Sequence, residues 1–398
     1  MKRILLATDV PFWECLKGNQ QRVFKLIAFL AEHYSVTVFF MGYETPETGG
    51  IPVYFKTMGS HSRRASIPWR VLNSLPNRLR FTIIEFLNRI GYRRTLKSFY
   101  RPELLQAFAR FYESSDFDAV IIEYVWYGFL ADAVDRDKSL LLLDFHDLYH
   151  QRVESYGRFN RVPDRVITRE EELAVFEKFD YLIALQRADF DFLSGLLPGK
   201  LLVTMHPHRV FPEVYQRRLA TGQTRDKLSL VYFGAFSDAS LDSVRWFIRH
   251  VWANDLAQLY VLNIYGTVCE ALTVTAEGVI LKGRVGTVEE VYRNADVAVN
   301  PARFGSGLKT RNIEAMAFGV PMVTTFIGAQ GLEAHKDELF LVANEPDEFR
   351  RQLIRLAEPE IRRSMSAKAL AFVGEHLTPE ACFGGLKLAI DQGVRERG

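Results

Sequence analysis

Apolar residues along this chain gather into short runs separated by stretches in which they recur every three or four positions. In the first half the runs are Arg3 to Thr8, Val36 to Phe40, Ala119 to Glu123, Leu140 to Phe145, Tyr181 to Ala184 and Leu201 to Thr204. Short continuous apolar runs predict strands buried on both faces, and the helical patterns between them predict the crossovers of a parallel sheet. The alternation stops after His206-Pro207-His208 and resumes past Lys227, and Pro212, Gly222 and several charges in between predict a linker over 209–227. A second series follows at Leu228 to Phe233, Tyr260 to Tyr265, Val279 to Lys282, Val297 to Asn300, Met322 to Thr325 and Leu339 to Val342. Two doubly wound α/β domains in tandem are therefore expected, over 1–208 and 228–375. Helical patterns run from about Glu345 to the end, and a last helix in 376–398 is expected to return to the N-terminal domain.

Composition adds limits. At 398 residues the chain exceeds the usual size of one hydrophobic core, and 48% hydrophobic with 25% charged residues is the balance of an ordinary globular protein rather than a disordered one. Lys plus Arg number 50 against 48 acids, so global charge selects no polyanionic partner, and no nucleic acid is expected. Cys15, Cys269 and Cys382 are far apart, without metal-ligand spacing, which fits a reducing cytoplasm. The opening MKRILLATDVPFW has the charge and apolar run of a signal peptide, but the run is short and Asp9 interrupts it, so a buried first strand is expected. No apolar stretch is long enough to predict a membrane-spanning helix.

The segment Asn300-Pro301-Ala302-Arg303-Phe304-Gly305-Ser306-Gly307-Leu308-Lys309-Thr310-Arg311-Asn312-Ile313-Glu314 follows an apolar strand and opens a helix. Small residues at 305–307 let backbone N–H groups approach a phosphate, and the helix N-terminus places a positive dipole end there. Arg303, Lys309 and Arg311 supply cations. Lys309 and Arg311 fall on the first helical turn, where the dipole alone disfavours positive charge, so an anion is expected beside them. A plain glycine turn with solvated basic residues is the bland alternative, which Glu314 and Gly319-Val320-Pro321 make less economical.

Residues 228–375 resemble glycosyltransferase family 4, the retaining enzymes of GT-B fold once called group 1 transferases. The resemblance is carried by Tyr232-Phe233-Gly234, Gly283-Arg284-Val285, Ala295-Asp296-Val297-Ala298-Val299-Asn300-Pro301, Glu314-Ala315, Gly319-Val320-Pro321-Met322-Val323-Thr324-Thr325 and Gly328-Ala329-Gln330-Gly331-Leu332. It implies two Rossmann-like domains facing across a cleft, a nucleotide-sugar donor held by the C-terminal domain, an acceptor on the N-terminal domain, and transfer with retention. It also implies that Glu314 bonds the ribose hydroxyls, and that Gly234, Arg284, Arg303, Gly305, Ser306, Gly307, Leu308, Lys309 and Arg311 line the donor site. No metal and no cofactor are expected. A carboxylate suits a vicinal diol because it accepts two hydrogen bonds.

The chain departs from the family at three places. Ser306 stands where many members carry a second Glu that contacts the donor sugar. Gly234-Ala235-Phe236-Ser237-Asp238 lacks the usual Arg and Lys, a role that passes by position to Lys309 and Arg311. The paired glycines of the family's first loop, which lies against the donor phosphate and the acceptor, are here Gly18-Asn19, so the resemblance implies that both touch the donor, with Asn19 expected to tolerate unusual backbone angles and to cap the helix. Asp144-Phe145-His146-Asp147 closes an apolar strand, and similar members have a histidine there near the reacting sugar, which marks His146, with Lys309, as catalytic. A structural strand-end histidine is the alternative. Three Asp-x-Asp matches, at Asp116/Asp118, Asp135/Asp137 and Asp189/Asp191, and the pair His206/His208 are read as chance rather than metal sites.

Other outcomes on this fold are a sugar-nucleotide-binding paralogue without transferase activity, an epimerase or a phosphorylase. The loss of the second Glu keeps the first of these open, the epimerase lacks identifiable acid/base groups, and no lysine motif for a pyridoxal cofactor appears. From His61 to Arg101 ten basic residues stand against the single acid Glu85, interleaved with Trp69, Phe81, Phe86 and aliphatic residues. Such a stretch is expected to lie on an anionic membrane surface, where the acceptor would be a lipid-linked precursor of a cell-surface glycan; a helical insertion packed on its own domain is the alternative.

Overall fold

A computed structural model describes residues 1–15, 17–42, 45–57, 79, 83, 93–220 and 226–397 of the chain. The chain divides into two compact units, Met1–Met205 together with Pro379–Gly398, and His206–Thr378.

The first unit is built on seven strands: β1 (Arg3–Thr8), β2 (Ser35–Phe40), β3 (Tyr54–Thr57), β4 (Ala119–Glu123), β5 (Leu140–Asp144), β6 (Tyr181–Ala184) and β7 (Leu201–Val203). They lie in the order β3-β2-β1-β4-β5-β6-β7, each described pairing parallel. β4 and β5 are buried at every residue, which is why both read as unbroken apolar runs. Their register sets Glu123 beside Asp144 at the C-terminal ends of the strands. The strand order reverses between β1 and β4, and in open α/β sheets this is where ligands bind.

The helix Gly18–His33 follows β1. Its start is fixed by Gln20, whose Oε1 accepts from the Lys17 N–H at 2.9 Å. Val23, Leu26, Ile27 and Leu30 recur at helical spacing and are fully buried. The last helix, Pro379–Arg395, packs in this unit too. Phe383 is fully buried and meets Phe29 with ring centroids 5.4 Å apart, a contact whose burial contributes about 1.5–3 kcal/mol. A Cβ at Gly393 would stand 2.7 Å from Leu140 Cδ1, so glycine is what lets this helix lie close upon β5.

The second unit carries six parallel strands, β8 (Leu228–Phe233), β9 (Tyr260–Tyr265), β10 (Val279–Gly283), β11 (Val297–Asn300), β12 (Met322–Thr324) and β13 (Leu341–Val342), in the order β10-β9-β8-β11-β12-β13. Its strand order reverses between β8 and β11. The stretch expected as a linker over 209–227 instead holds a helix, Pro212–Ala220, within this unit. It is pinned by Phe211, whose ring stacks on Phe318 at 4.1 Å and whose N–H donates to the Ala317 carbonyl.

Among the described residues no helix is long and apolar enough to cross a membrane. Most of the basic stretch from His61 to Arg101 lies outside the described residues. Within its described end, the Arg94 guanidinium sits 4.2 Å over the ring of Phe99, which is itself buried, so this arginine is turned onto its own domain.

Candidate functional site

In the second unit the chain leaves β11 at Asn300, runs through 301–309 and enters the helix Thr310–Ala317. Gly305 has φ +127° and Gly307 φ +72°, conformations that side chains rarely adopt, so the turn depends on both glycines. Behind the turn, Asn300 Nδ2 donates to Asn312 Oδ1 at 2.7 Å, and Asn312 Nδ2 donates to the Gly328 carbonyl at 2.8 Å. The Thr324 hydroxyl donates to the Asn300 carbonyl at 2.9 Å, and that of Thr325 to the Ala302 carbonyl. The loop is thus tied to the helix and to the end of β12 by buried polar bonds, which are expensive to break.

The cations are already engaged by protein groups. Lys309, the residue before the helix, turns its ammonium back on the carbonyls of Ser306 (3.0 Å) and Gly307 (2.7 Å) and on Gln330 Oε1 (3.0 Å). The conflict between a cation and a helix N-terminus, from which an anion was expected, is relieved by these oxygens. Arg303 forks onto Asp242 with two bonds of 2.8 Å, so its charge is balanced within the unit. Arg311 donates to the Tyr232 hydroxyl at 3.2 Å. Burial opposes its charge, but Tyr232, Tyr292 and Glu314 outweigh burial and hold it above its ordinary value. Glu314 is 3% exposed on the same helix, within electrostatic reach of Arg311 and Tyr292. Ser306 and Leu308 are half-buried in the turn. Gly234 follows β8, its N–H donating to the Tyr265 carbonyl at 3.1 Å. Arg284 is exposed and pairs with Glu270 at 2.7 Å, away from these bonds.

In the first unit a polar cluster sits at the ends of β4 and β5. Arg22, from the second turn of the Gly18–His33 helix, is 1% exposed. It bonds Asp144 Oδ2 at 2.9 Å, the Thr204 hydroxyl at 2.5 Å and the Met205 carbonyl at 3.1 Å, with the Phe383 ring at 5.0 Å. Glu123, fully buried, meets His146 Nε2 through Oε2 at 2.6 Å. Tyr124 stacks on the imidazole with centroids 4.3 Å apart. The Tyr124 hydroxyl accepts from Asn19 Nδ2 at 2.9 Å, so Asn19 spends its amide inside the helix on a tyrosine and does not cap it; the residue before the helix is Lys17. Gly18 opens the helix.

Two residues here adopt backbone that side chains avoid: His146 at φ +66°, and Tyr124 at φ +70°, ψ +140°, a region nearly reserved for glycine. Each costs about 1–3 kcal/mol and persists only where surrounding contacts over-determine it. Burial, then the neighbouring charge of Asp144, pushes the Glu123 carboxyl up to about 7. Burial disfavours charge on His146, yet Asp144 and Glu123 together raise it above its ordinary value. Glu123, Asp144 and His146 offer ligand atoms within 4.8 Å of one another, the spacing of a metal site. The protein already engages them, Asp144 with Arg22 and Glu123 with His146.

The sequence points to Gly18, Asn19 and His146 but not to Glu123, Arg22 or Tyr124. The available signal was an acid closing each of two adjacent apolar strands, Glu123 and Asp144. The Asp-x-Asp matches have local duties: Asp118 accepts from the Arg3 N–H, Asp135 from the Asp137 N–H, Asp189 from Gln186 and Asp191 from Arg187. The Nδ1 atoms of His206 and His208 face the carbonyls of Pro207 and Arg209.

Residues 227–359 match the family described as Glycosyl transferases group 1, so the second unit carries a group 1 glycosyl transferase domain. No curated protein matches the chain in sequence. Solved structures share the fold at low identity. Sucrose-phosphate synthase from Thermosynechococcus elongatus superposes with a TM-score of 0.69 at 15% identity, over 100% of this chain and 99% of its own. A glycosyltransferase from Rickettsia africae does so at 0.67 and 10%, over 99% of each chain. HepE of Anabaena, solved with UDP and glucose, gives 0.58 and 14%, over 100% of this chain and 99% of its own. The two parallel α/β units are those of the GT-B glycosyltransferase fold.

Proposed function

We infer that the protein moves a sugar from a nucleotide-sugar donor to a saccharide or lipid-linked acceptor, with retention at the anomeric carbon. The observation that carries this is the Gly305-Ser306-Gly307 turn at the head of a helix bearing buried Glu314, inside the group 1 domain. Such a turn suits a diphosphate, whose negative charge grows as the glycosidic bond breaks; the helix dipole and loop N–H groups stabilise that charge. Glu314 accepts from the ribose hydroxyls. Lys309 shapes the turn through the carbonyls it holds and stands close enough to share the developing charge. No carboxylate is assigned as a nucleophile, so the incoming hydroxyl attacks from the face the diphosphate leaves, the departing phosphate taking its proton. The reaction in this form uses no resident metal or cofactor.

HepE was solved with UDP and glucose, which makes UDP-glucose the first donor to test, followed by GDP-, dTDP- and CMP-sugars. Release of the free nucleotide diphosphate, or of the monophosphate from CMP-sugars, followed by mass spectrometry identifies the donor, and the anomeric proton coupling of the product reports retention. Binding of a sugar nucleotide without turnover by any acceptor would favour the binding-only alternative that Ser306 raises. The acceptor class rests on the His61–Arg101 stretch: sedimentation with anionic but not neutral vesicles, reversed by salt, supports a lipid-linked acceptor on the cytoplasmic face, and failure to bind at low salt removes it.

A further inference from the structure

The cluster at the ends of β4 and β5 holds one imidazole more firmly than a packing role requires. His146 is 9% exposed, its ring is covered by Tyr124, and Nε2 is taken by Glu123 at 2.6 Å. Nδ1 makes no hydrogen bond among the described residues. Asp144, the other carboxylate of the cluster, is committed to Arg22, and Asp147 to Arg152 at 2.7 Å. Glu123 is therefore the group that orients the ring, and Tyr124, itself in strained backbone and tied to Asn19, sets the plane in which the ring lies.

We propose that Glu123 is a positioning residue: it accepts the Nε2 proton of His146 and so fixes the tautomer in which Nδ1 is bare, ready to accept a hydrogen bond from a hydroxyl of the bound saccharide. This rests on the glycosyl-transfer function inferred above. A neutral imidazole donates from one nitrogen and accepts at the other, and the partner of the first decides which is which. The charged and titratable groups around the ring are Glu123, Tyr124, Asp144 and Arg22. Both members of the Glu123–His146 pair are held above their ordinary values, so on acidification the pair takes up one further proton. That proton converts Nδ1 from acceptor to donor or neutralises the group that holds Nε2, and either event ends the arrangement. Sugar transfer then falls as the pH drops through the titration of the pair.

The test begins with the full-length protein labelled with nitrogen-15 at histidine, with His146→Gln assigning the resonances. At pH 8 the spectrum is expected to show His146 neutral and protonated at Nε2; an Nδ1-protonated ring overturns the proposal. This measurement needs no substrate, so it decides the Glu123–His146 assignment even if no donor is turned over, and it stands if Glu123→Gln fails to fold. With folded Glu123→Gln, kcat is expected to fall roughly 10- to 1,000-fold with donor KM little changed, and the acid limb of the profile to move to lower pH. In a His146→Ala background the same substitution should reduce kcat no further. An equal loss in both backgrounds, or unchanged turnover in the single variant, refutes positioning through His146.

Discussion

Replacing Arg22 by Met removes the positive partner of a carboxylate that has no water to turn to. Asp144 is 0% and Arg22 1% exposed, the pair is 2.9 Å apart through Oδ2, and Asp144 Oδ1 has no hydrogen-bond partner among the described residues. Coulomb attraction over this distance is large in a dry interior, but desolvation offsets most of it, so the measurable loss is that of leaving one charge behind: about 3–5 kcal/mol. Loss of the bonds to Thr204 and Met205 adds to it, while Met keeps the stack on Phe383 partly filled. At roughly 2–4 °C per kcal/mol for a unit of this size, the first unit should melt about 6–20 °C lower. Two units need not unfold together, so hydrogen exchange at the β4 and β5 amides is the proper assay. The double variant Arg22→Met/Asp144→Leu should recover most of the loss, because an apolar pair replaces the buried ions instead of leaving one unpaired. A single-variant loss below about 1 kcal/mol, or a double variant as unstable as the sum of the two singles, would refute the assignment of this pair as the unit's electrostatic anchor.

Glu314→Ala should weaken sugar-nucleotide binding by about 2–4 kcal/mol, roughly 30- to 1,000-fold in Kd, with the fold kept; calorimetry that finds affinity unchanged removes Glu314 from the ribose site. Lys309→Ala frees the carbonyls of Ser306 and Gly307 and should lower turnover more than donor affinity, whereas equal effects on substrate and product binding with an unaltered chemical step would make Lys309 an anchor only. Glu123 titrates at about 7 in the fold against an ordinary 4.5, so between these values the folded chain holds the extra proton and stability falls as pH rises. Urea denaturation of Glu123→Gln from pH 5 to pH 8 should therefore show the variant gaining on the parent protein, and a parallel pH dependence would contradict it.

Strands buried on both faces wrote themselves into the sequence. Leu140 to Leu143 and Val120 to Ile122 are apolar without a break because helices or loops cover both sides of β4 and β5. β3 escaped notice because Tyr54-Phe55-Lys56-Thr57 alternates between exposed and half-buried on a sheet edge, with too few apolar residues to form a run. The helix Pro212–Ala220 reads as linker in the sequence because one phenylalanine outside it, Phe211, does much of the anchoring. At the candidate site, the positive-φ turn at Gly305 and Gly307 was legible because loop chemistry is local. Arg22 was not, since an arginine between two glutamines and a valine on a helix looks solvated until the strands and the last helix close over it. The pairing of Arg303 was not legible either, because its partner Asp242 lies on a helix some sixty residues earlier.

The placement of Pro379–Arg395 in the first unit also sets the order in which the chain can finish folding during synthesis. The second unit is contiguous, while the first waits for a helix that leaves the ribosome only after all of His206–Thr378 has been made. At roughly 5–20 residues per second that wait is on the order of ten to thirty seconds. Throughout it Phe29, Leu140 and the guanidinium of Arg22 lack the cover that Phe383 and Gly393 later provide. The second unit is complete while the first is still open, and the nascent chain carries an exposed apolar seam that a holdase or an added peptide of the last helix would recognise.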